Sequence, residues 1–211
     1  MTTVERELRF LVNNPAVHRS VARLTCVGSF TVVKRHRERQ RNTYFDTTDR
    51  RLWRAKSVLK LRETRAMREV TFKKALGYRD GVASRLEVTS RLRPAQRVRI
   101  GEGTPSLEPV RRAQRVIGTS RLHPLFTVVT DRTTLMLAKN RQRVELDVDR
   151  VAVTRSTRVV ARRLEIEVEN LTASPAVFRS AIEALRRRYG GHVRVSGVSK
   201  FEFGWRAVRA R

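Results

Sequence analysis

Cysteine is nearly absent from this chain: Cys26 is the only one in 211 residues. A lone thiol excludes an intramolecular disulfide and any zinc site built on cysteine pairs. Long apolar runs are also missing, so no membrane-spanning helix is expected. The opening stretch Met1-Thr2-Thr3-Val4-Glu5-Arg6 lacks the apolar core of a signal peptide. These absences predict a soluble, cytoplasmic protein with no membrane partner. Aromatic residues reach only 6%, and few lie among the charges, which argues against a single-strand binder built on base stacking. Acids are outnumbered, 20 against 47 Lys and Arg, for a net charge of +27. A charge of that size draws polyanions from a distance, so on this ground alone nucleic acid, polyphosphate and anionic surfaces are candidate partners.

What is present is enough apolar residue, 40%, for a sizeable core. No repeat, low-complexity tract or linker divides the chain, so residues 1–211 are expected to form one domain. Period-2 alternation is the main structural signal. Residues 4–12 set Glu5, Glu7 and Arg9 against Leu8 and Phe10. Further strands are expected at 41–46, 57–64, 68–74, 84–90, 125–134, 143–151 and 158–169. A helix is expected over 15–25, capped by Asn14 with Pro15 in its first turn. A short helical turn is expected over 48–53. Residues 93–122 show no strand pattern and read as an insertion with two helical stretches. Ser174–Arg188 is amphipathic and stops at Gly190-Gly191, and a last short helix is expected from Lys200 to about Val208. The fold class is α+β, dominated by antiparallel strands.

Several polar strand faces consist of acids and bases alone. Arg163, Glu165, Glu167 and Glu169 alternate with Leu164, Ile166 and Val168. Arg143, Glu145, Asp147 and Asp149 alternate with Val144, Leu146 and Val148. For any one strand, a solvated outer face is the plain alternative. Carboxylates in phase on one strand nevertheless repel unless a metal ion or bases from neighbouring strands sit among them. A barrel with a charged interior and helices on its exterior satisfies the pattern.

In order along the chain, the motifs Glu5-Arg6-Glu7-Leu8-Arg9, Tyr44-Phe45-Asp46-Thr47, Leu59-Lys60-Leu61-Arg62, Thr71-Phe72-Lys73 and Arg85-Leu86-Glu87 are followed by Arg132. Glu145-Leu146-Asp147, Glu165-Ile166-Glu167 and Ser199-Lys200 complete the series. This succession resembles the CYTH, or triphosphate tunnel metalloenzyme, family over nearly the whole chain. The resemblance implies an eight-stranded antiparallel β-barrel, a triphosphate tunnel with helices packed outside, that cleaves a phosphoanhydride bond with Mg²⁺ or Mn²⁺. By the same resemblance Glu5, Glu7, Glu165 and Glu167 are catalytic metal ligands, with Glu87 and Asp147 either as further ligands or behind them, supporting the ligands. Arg9, Lys60, Arg62, Lys73, Arg85, Arg132 and Lys200 would hold the phosphates. It also allows a homodimer, which no feature of the chain decides. Hard carboxylate oxygens suit Mg²⁺ or Mn²⁺ better than zinc.

The chain departs from the family pattern at several positions. Arg9 stands for a lysine, keeping charge but losing the capacity to deprotonate. Lys60 stands for an arginine, Thr89 where some members carry glutamate, and Phe201-Glu202-Phe203 for Tyr-Glu-Arg. The turn Tyr44-Phe45-Asp46 lacks the histidine of the adenylate cyclase members. Val58 occupies the place of the tryptophan that marks animal thiamine triphosphatases. Inorganic triphosphate is therefore the substrate expected by elimination.

Eight of the 20 acids and eight of the 47 bases belong to the expected tunnel set, Arg143, Glu145 and Glu169 included. They cancel, leaving 39 bases against 12 acids outside it, the whole of the +27. Lys34–Arg41 and Arg186-Arg187-Arg188 are candidate surface patches, read either as solvated side chains of an arginine-rich sequence or as a surface for nucleic acid or polyphosphate. The alternative function is a polyanion-binding protein on the same fold without catalysis, which leaves the paired carboxylates unexplained.

Overall fold

Eight strands join edge to edge in a ring, each antiparallel to its neighbours, in the order β1-β6-β5-β4-β3-β7-β8-β9, and β9 returns to β1. The computed structural model describes residues 2–93, 100 and 107–210. The ring strands are β1 (Thr2–Val12), β3 (Phe30–Asp46), β4 (Ser57–Glu63), β5 (Arg68–Arg79), β6 (Val82–Arg91), β7 (His123–Lys139), β8 (Gln142–Arg155) and β9 (Arg158–Asn170). Two short strands, β2 (Cys26–Val27) and β10 (Val193–Val195), hang on β3 and β1. The helices are α1 (Pro15–Val21), α2 (Arg51–Arg54), α3 (Glu108–Ile117), α4 (Pro175–Tyr189) and α5 (Lys200–Arg209). Among the described residues no helix is long and apolar enough to cross a membrane.

Closure removes the sheet edges and sends alternate side chains inward. The outward apolar residues are then covered by helices. α1 and α4 lie over β1, β8 and β9, where Phe10, Leu146 and Ile166 pack with Val21, Phe178 and Leu185. α2 and α3 cover β4 and β5, joining Leu52, Val110 and Ile117 to Leu59, Val70 and Phe72. Tight hairpins link β5 to β6, β7 to β8 and β8 to β9. Asp80 and Gly81 both take positive φ between the paired Arg79 and Val82, the two-residue turn that matches strand twist.

The fifth helix is placed differently from the other four. The inward rows of β7, β8 and β3 end in Phe126, Val128, Val151, Val153 and Tyr44, and Phe201 of α5 packs among them. Its ring centroid lies 5.5 Å from that of Tyr44 and 5.6 Å from that of Phe126. Gly204 faces Phe126 so closely that any Cβ there would collide with the ring. α5 thus stops one end of the barrel rather than packing outside it. A capping box between Ser199 and Glu202 starts the helix at that point.

Several boundaries differ from expectation. β3 begins at Phe30 rather than Arg41: Phe30 and Val32 join the core, but residues 34–40 are polar on both faces and carry no apolar alternation. α1 ends at Val21. One of the two helices expected within 93–122 is α3; the other lies outside the described residues. The Tyr-Phe-Asp-Thr turn has a structural role: buried Asp46 accepts from the backbone N–H groups of Thr47, Leu52 and Trp53 at 2.7, 2.9 and 3.0 Å. Replacing Asp46 with alanine orphans these donors and is expected to cost about 2 kcal/mol. Urea denaturation measures it, and a loss below about 0.5 kcal/mol would contradict the role.

Candidate active site: a charged tunnel

The ring gathers the charged strand faces around a cavity of 260 Å³. Glu5, Glu7, Arg9, Lys60, Arg62, Lys73, Arg85, Glu87, Arg132, Glu167 and Lys200 all line it. Two other expected residues, Asp147 and Glu165, point inward but lie behind the lining, buried to 2% and 0% exposure. Arg143, counted above with the tunnel bases, instead donates to the carbonyls of Asn140 and Gln142 at the β7–β8 turn. Register explains why these strands meet. β1 lies between β6, which brings Arg85 opposite Glu5, and β9, which brings Glu167 opposite Arg9 and Glu169 opposite Glu7.

Most of these charges are shared. Lys73 Nζ stands 2.7 Å from both Glu5 and Glu87. Arg85 pairs with Glu7. Arg9 bridges Glu7 and Glu167 at 2.5 Å each and donates to the carbonyl of Val198 at 3.1 Å, tying β1 to the segment before α5. Burial opposes ionisation of Glu7, and so does Glu167, but Arg9, Arg85 and Lys73 hold its carboxyl down at about 2. Burial likewise opposes the charge on Glu87, which Lys73 and Lys60 hold at about 2.

A second group forms around Asp149, a residue the sequence motifs did not single out. Asp149 is fully buried, and Arg132 grips it with Nε and Nη2 at 2.8 and 2.7 Å. Arg132 also pairs with Asp147, and at 2.9 Å with Glu167. Carboxylate oxygens of Asp149, Glu165 and Glu167 lie within 4.8 Å of one another. The Lys200 ammonium stands among them, 2.9 Å from Asp149, 2.7 Å from Glu167 and in contact with Glu165. Arg163, also absent from the motifs, contacts Glu165 at 2.6 Å and lies over the Phe203 ring of α5. Glu165 therefore serves Lys200 and Arg163 rather than the open cavity.

The pairing is incomplete in two places. Among the described residues, Lys60 on β4 has no ion pair or hydrogen bond, and neither have Glu145 on β8 and Glu169 on β9. Burial and then the nearby Arg62 and Lys73 push Lys60 well below the usual lysine range. Burial and then Glu5 push the Glu169 carboxyl up to about 8, and burial raises Glu145 as well. Glu145 and Glu169 face one another in register, while β4 and β9 stand on opposite sides of the ring. Lys60 thus lacks a direct anionic partner, although Arg62 beside it pairs with Glu69 at 3.3 Å, and Glu145 and Glu169 lack a direct cationic one. Carboxylates short of a counter-charge are the donor set a hard divalent ion takes, so the residues fit Mg²⁺ or Mn²⁺.

A closed antiparallel ring lined by acids and bases from nearly every strand surrounds a polar, ion-paired tunnel. The chain belongs to the CYTH family: the model of the CYTH domain matches residues 3–193. No curated protein matches it in sequence. Among solved structures it is similar to HpAC1 from Hippeastrum, a candidate adenylyl cyclase described as having a dominant triphosphatase activity. The TM-score is 0.69 at 21% identity, over 96% of this chain and 95% of that one. A candidate adenylate cyclase from Bacillus halodurans gives 0.58 at 22% identity, over 90% and 91%. The Mimivirus capping enzyme triphosphatase gives 0.51 at 10% identity, over 86% and 87%. These likenesses are of fold.

Asp149 provides a direct check on the shared-charge network. Asp149→Ala leaves Arg132 and Lys200 short of a buried counter-charge and is expected to destabilise the protein by about 3–5 kcal/mol. Urea unfolding reads this, and a cost under about 1 kcal/mol would show that the neighbouring acids suffice.

Proposed function

We propose that this protein is a metal-dependent triphosphatase that cleaves a phosphoanhydride bond, with inorganic triphosphate as substrate. The observation that carries the reading is the set of side chains in one cavity that make no ion pair among the described residues, Lys60 facing Glu145 and Glu169. Membership of a fold family that includes described triphosphatases supports it. Inorganic triphosphate follows from the missing cyclase histidine and thiamine-type tryptophan.

In this reading Glu145 and Glu169, with Glu5 and Glu7 beside them, hold Mg²⁺ or Mn²⁺. When bound, the ion neutralises phosphate charge and activates water. Lys60, Arg62 and Lys73 take phosphate oxygens on the opposite wall, where each cation offsets charge that burial would otherwise penalise. Arg9, Arg62, Lys73, Arg132 and Lys200 already share their charge with acids; a phosphate arriving among them exchanges one anionic partner for another. Arg85 and Glu87 complete the set on β6. Arg9 stays protonated throughout, so its part is electrostatic, stabilising the departing phosphate as negative charge builds on it. No side chain need transfer a proton to the phosphate, because positioning and charge supply most of the catalysis in such displacements.

Phosphate release from inorganic triphosphate, with Mg²⁺ and then Mn²⁺, tests the proposal, using ATP and thiamine triphosphate as comparators. Glu169→Gln is expected to lower kcat/KM at least about a hundredfold, and Lys60→Ala by a similar factor. No release from any of these substrates by folded protein would refute the reading. The competing account, a polyanion binder without catalysis, draws on the basic exterior. It expects affinity that falls steeply with salt, independent of metal and insensitive to Glu169→Gln.

A further inference from the structure

Acids are spread unevenly along the chain. Residues 8–37 contain none, and neither do residues 184–201, although arginine recurs in both stretches. The fold brings the two together on α1, α4 and the turn before β3. The Ser20 hydroxyl donates to that of Tyr189 at 3.4 Å, and a Cβ at Gly28 would touch Ala184. An open cavity of 450 Å³ lies between them, with Arg19, Arg23, Thr25 and Arg188 among its lining, and it shares no residue with the tunnel cavity. Arg35 of β3 donates to the carbonyl of Leu24 at 2.7 Å and brings a further guanidinium beside it.

These arginines differ from others on the surface. Arg51 and Arg54 share Asp49, and Arg111 and Arg112 share Glu108, at 2.7 to 3.0 Å. Arg19, Arg23 and Arg188 have no ion pair among the described residues. Of the run Arg186-Arg187-Arg188, the second lies 3.9 Å from Glu183 and the first reaches toward the Phe10 ring, so only Arg188 joins the cluster. Like charges gathered without a counter-charge favour an anion that spans them.

We propose that the face around Arg19, Arg23 and Arg188 docks the phosphodiester backbone of a nucleic-acid duplex, apart from the tunnel and independent of its chemistry. A duplex presents a negative charge for about every 1.7 Å of its axis, so one stretch of it meets several guanidinium groups at once. The Thr25 hydroxyl, which makes no hydrogen bond among the described residues, is a further donor to phosphate oxygens. No aromatic or histidine side chain lines the cavity, so nothing there stacks on an unpaired base. The apolar lining is Ala16, buried Leu24 and Cys26, too little for the apolar centre that a protein partner would require. Backbone contacts need no such centre, and they carry no sequence preference.

Fluorescence anisotropy of the whole chain with a labelled DNA duplex of about 20 base pairs, over a series of salt concentrations, tests the docking face. A single strand of the same length and polyglutamate serve as comparators. Wild type is expected to bind the duplex more tightly than either. Arg19→Ala/Arg23→Ala/Arg188→Ala should weaken duplex binding at least about tenfold and reduce the slope of log affinity against log salt by about 2 to 3. Arg65→Ala/Arg155→Ala/Arg158→Ala removes the same charge from the β4–β5 turn and the ends of β8 and β9, and should cost less than about threefold. Equal losses in the two triple variants would reduce the effect to the general field and overturn the proposal. So would tighter binding of the single strand, equal binding of polyglutamate, or displacement of the duplex by tripolyphosphate just sufficient to fill the tunnel. Absent turnover of tripolyphosphate would sink the hydrolase reading and leave the docking face standing.

Discussion

The structure depends on cations shared among buried carboxylates. A closed ring has no wet inner face to relax into, so inward acids must be matched by bases within reach or remain uncharged. Arg9, Arg132 and Lys200 each serve at least two acids, and these acids arrive on β1, β8 and β9. The same contacts fix the register of the ring and hold α5 in its mouth. Breaking one leaves charge stranded in low dielectric, so the network is stable as a whole or poorly.

That network stops short of neutrality on purpose-shaped ground. Among the described residues Lys60 makes no direct ion pair, and neither do Glu145 and Glu169, on opposite sides of the same cavity. A cavity that lacks a cation on one side and an anion on the other favours both together over either alone, since each relieves the repulsion that the other meets. The exterior plays a different part. Among the outward bases of β3, Arg39 and Arg41 make only loose ion pairs, at 3.8 Å each with Asp131 and Glu63. Charges on a strand bordered by one neighbour also discourage edge-to-edge association.

Strands with one apolar face were legible in the sequence. Residues 4–12, 143–151 and 158–169 alternate clearly because helices cover their outer side chains. The early part of β3 was hidden because residues 34–40 carry charge or polarity on both faces, although Phe30 at its start is in the core. Motif order identified eleven cavity-lining residues but carries no information on depth: Asp147 and Glu165 have the same letters as their neighbours and sit behind the lining. Which acid remains unpaired depends on cross-ring register, such as Glu7 opposite Glu169, and no local pattern encodes that closure. The plug was expected as a helix, but its position inside the barrel rests on long-range packing of Phe201 against Tyr44 and Phe126.

The most direct test of this account is the coupling between metal and triphosphate at the two walls. Isothermal titration of tripolyphosphate into the protein with and without Mg²⁺, and of Mg²⁺ with and without tripolyphosphate, gives the full cycle once the affinity of the ion for the free ligand is subtracted. The account predicts that each ligand tightens the other by the same factor, at least about tenfold, and that Lys60→Ala with Glu169→Gln removes the coupling. Independent binding of the two ligands to the wild-type protein would contradict it.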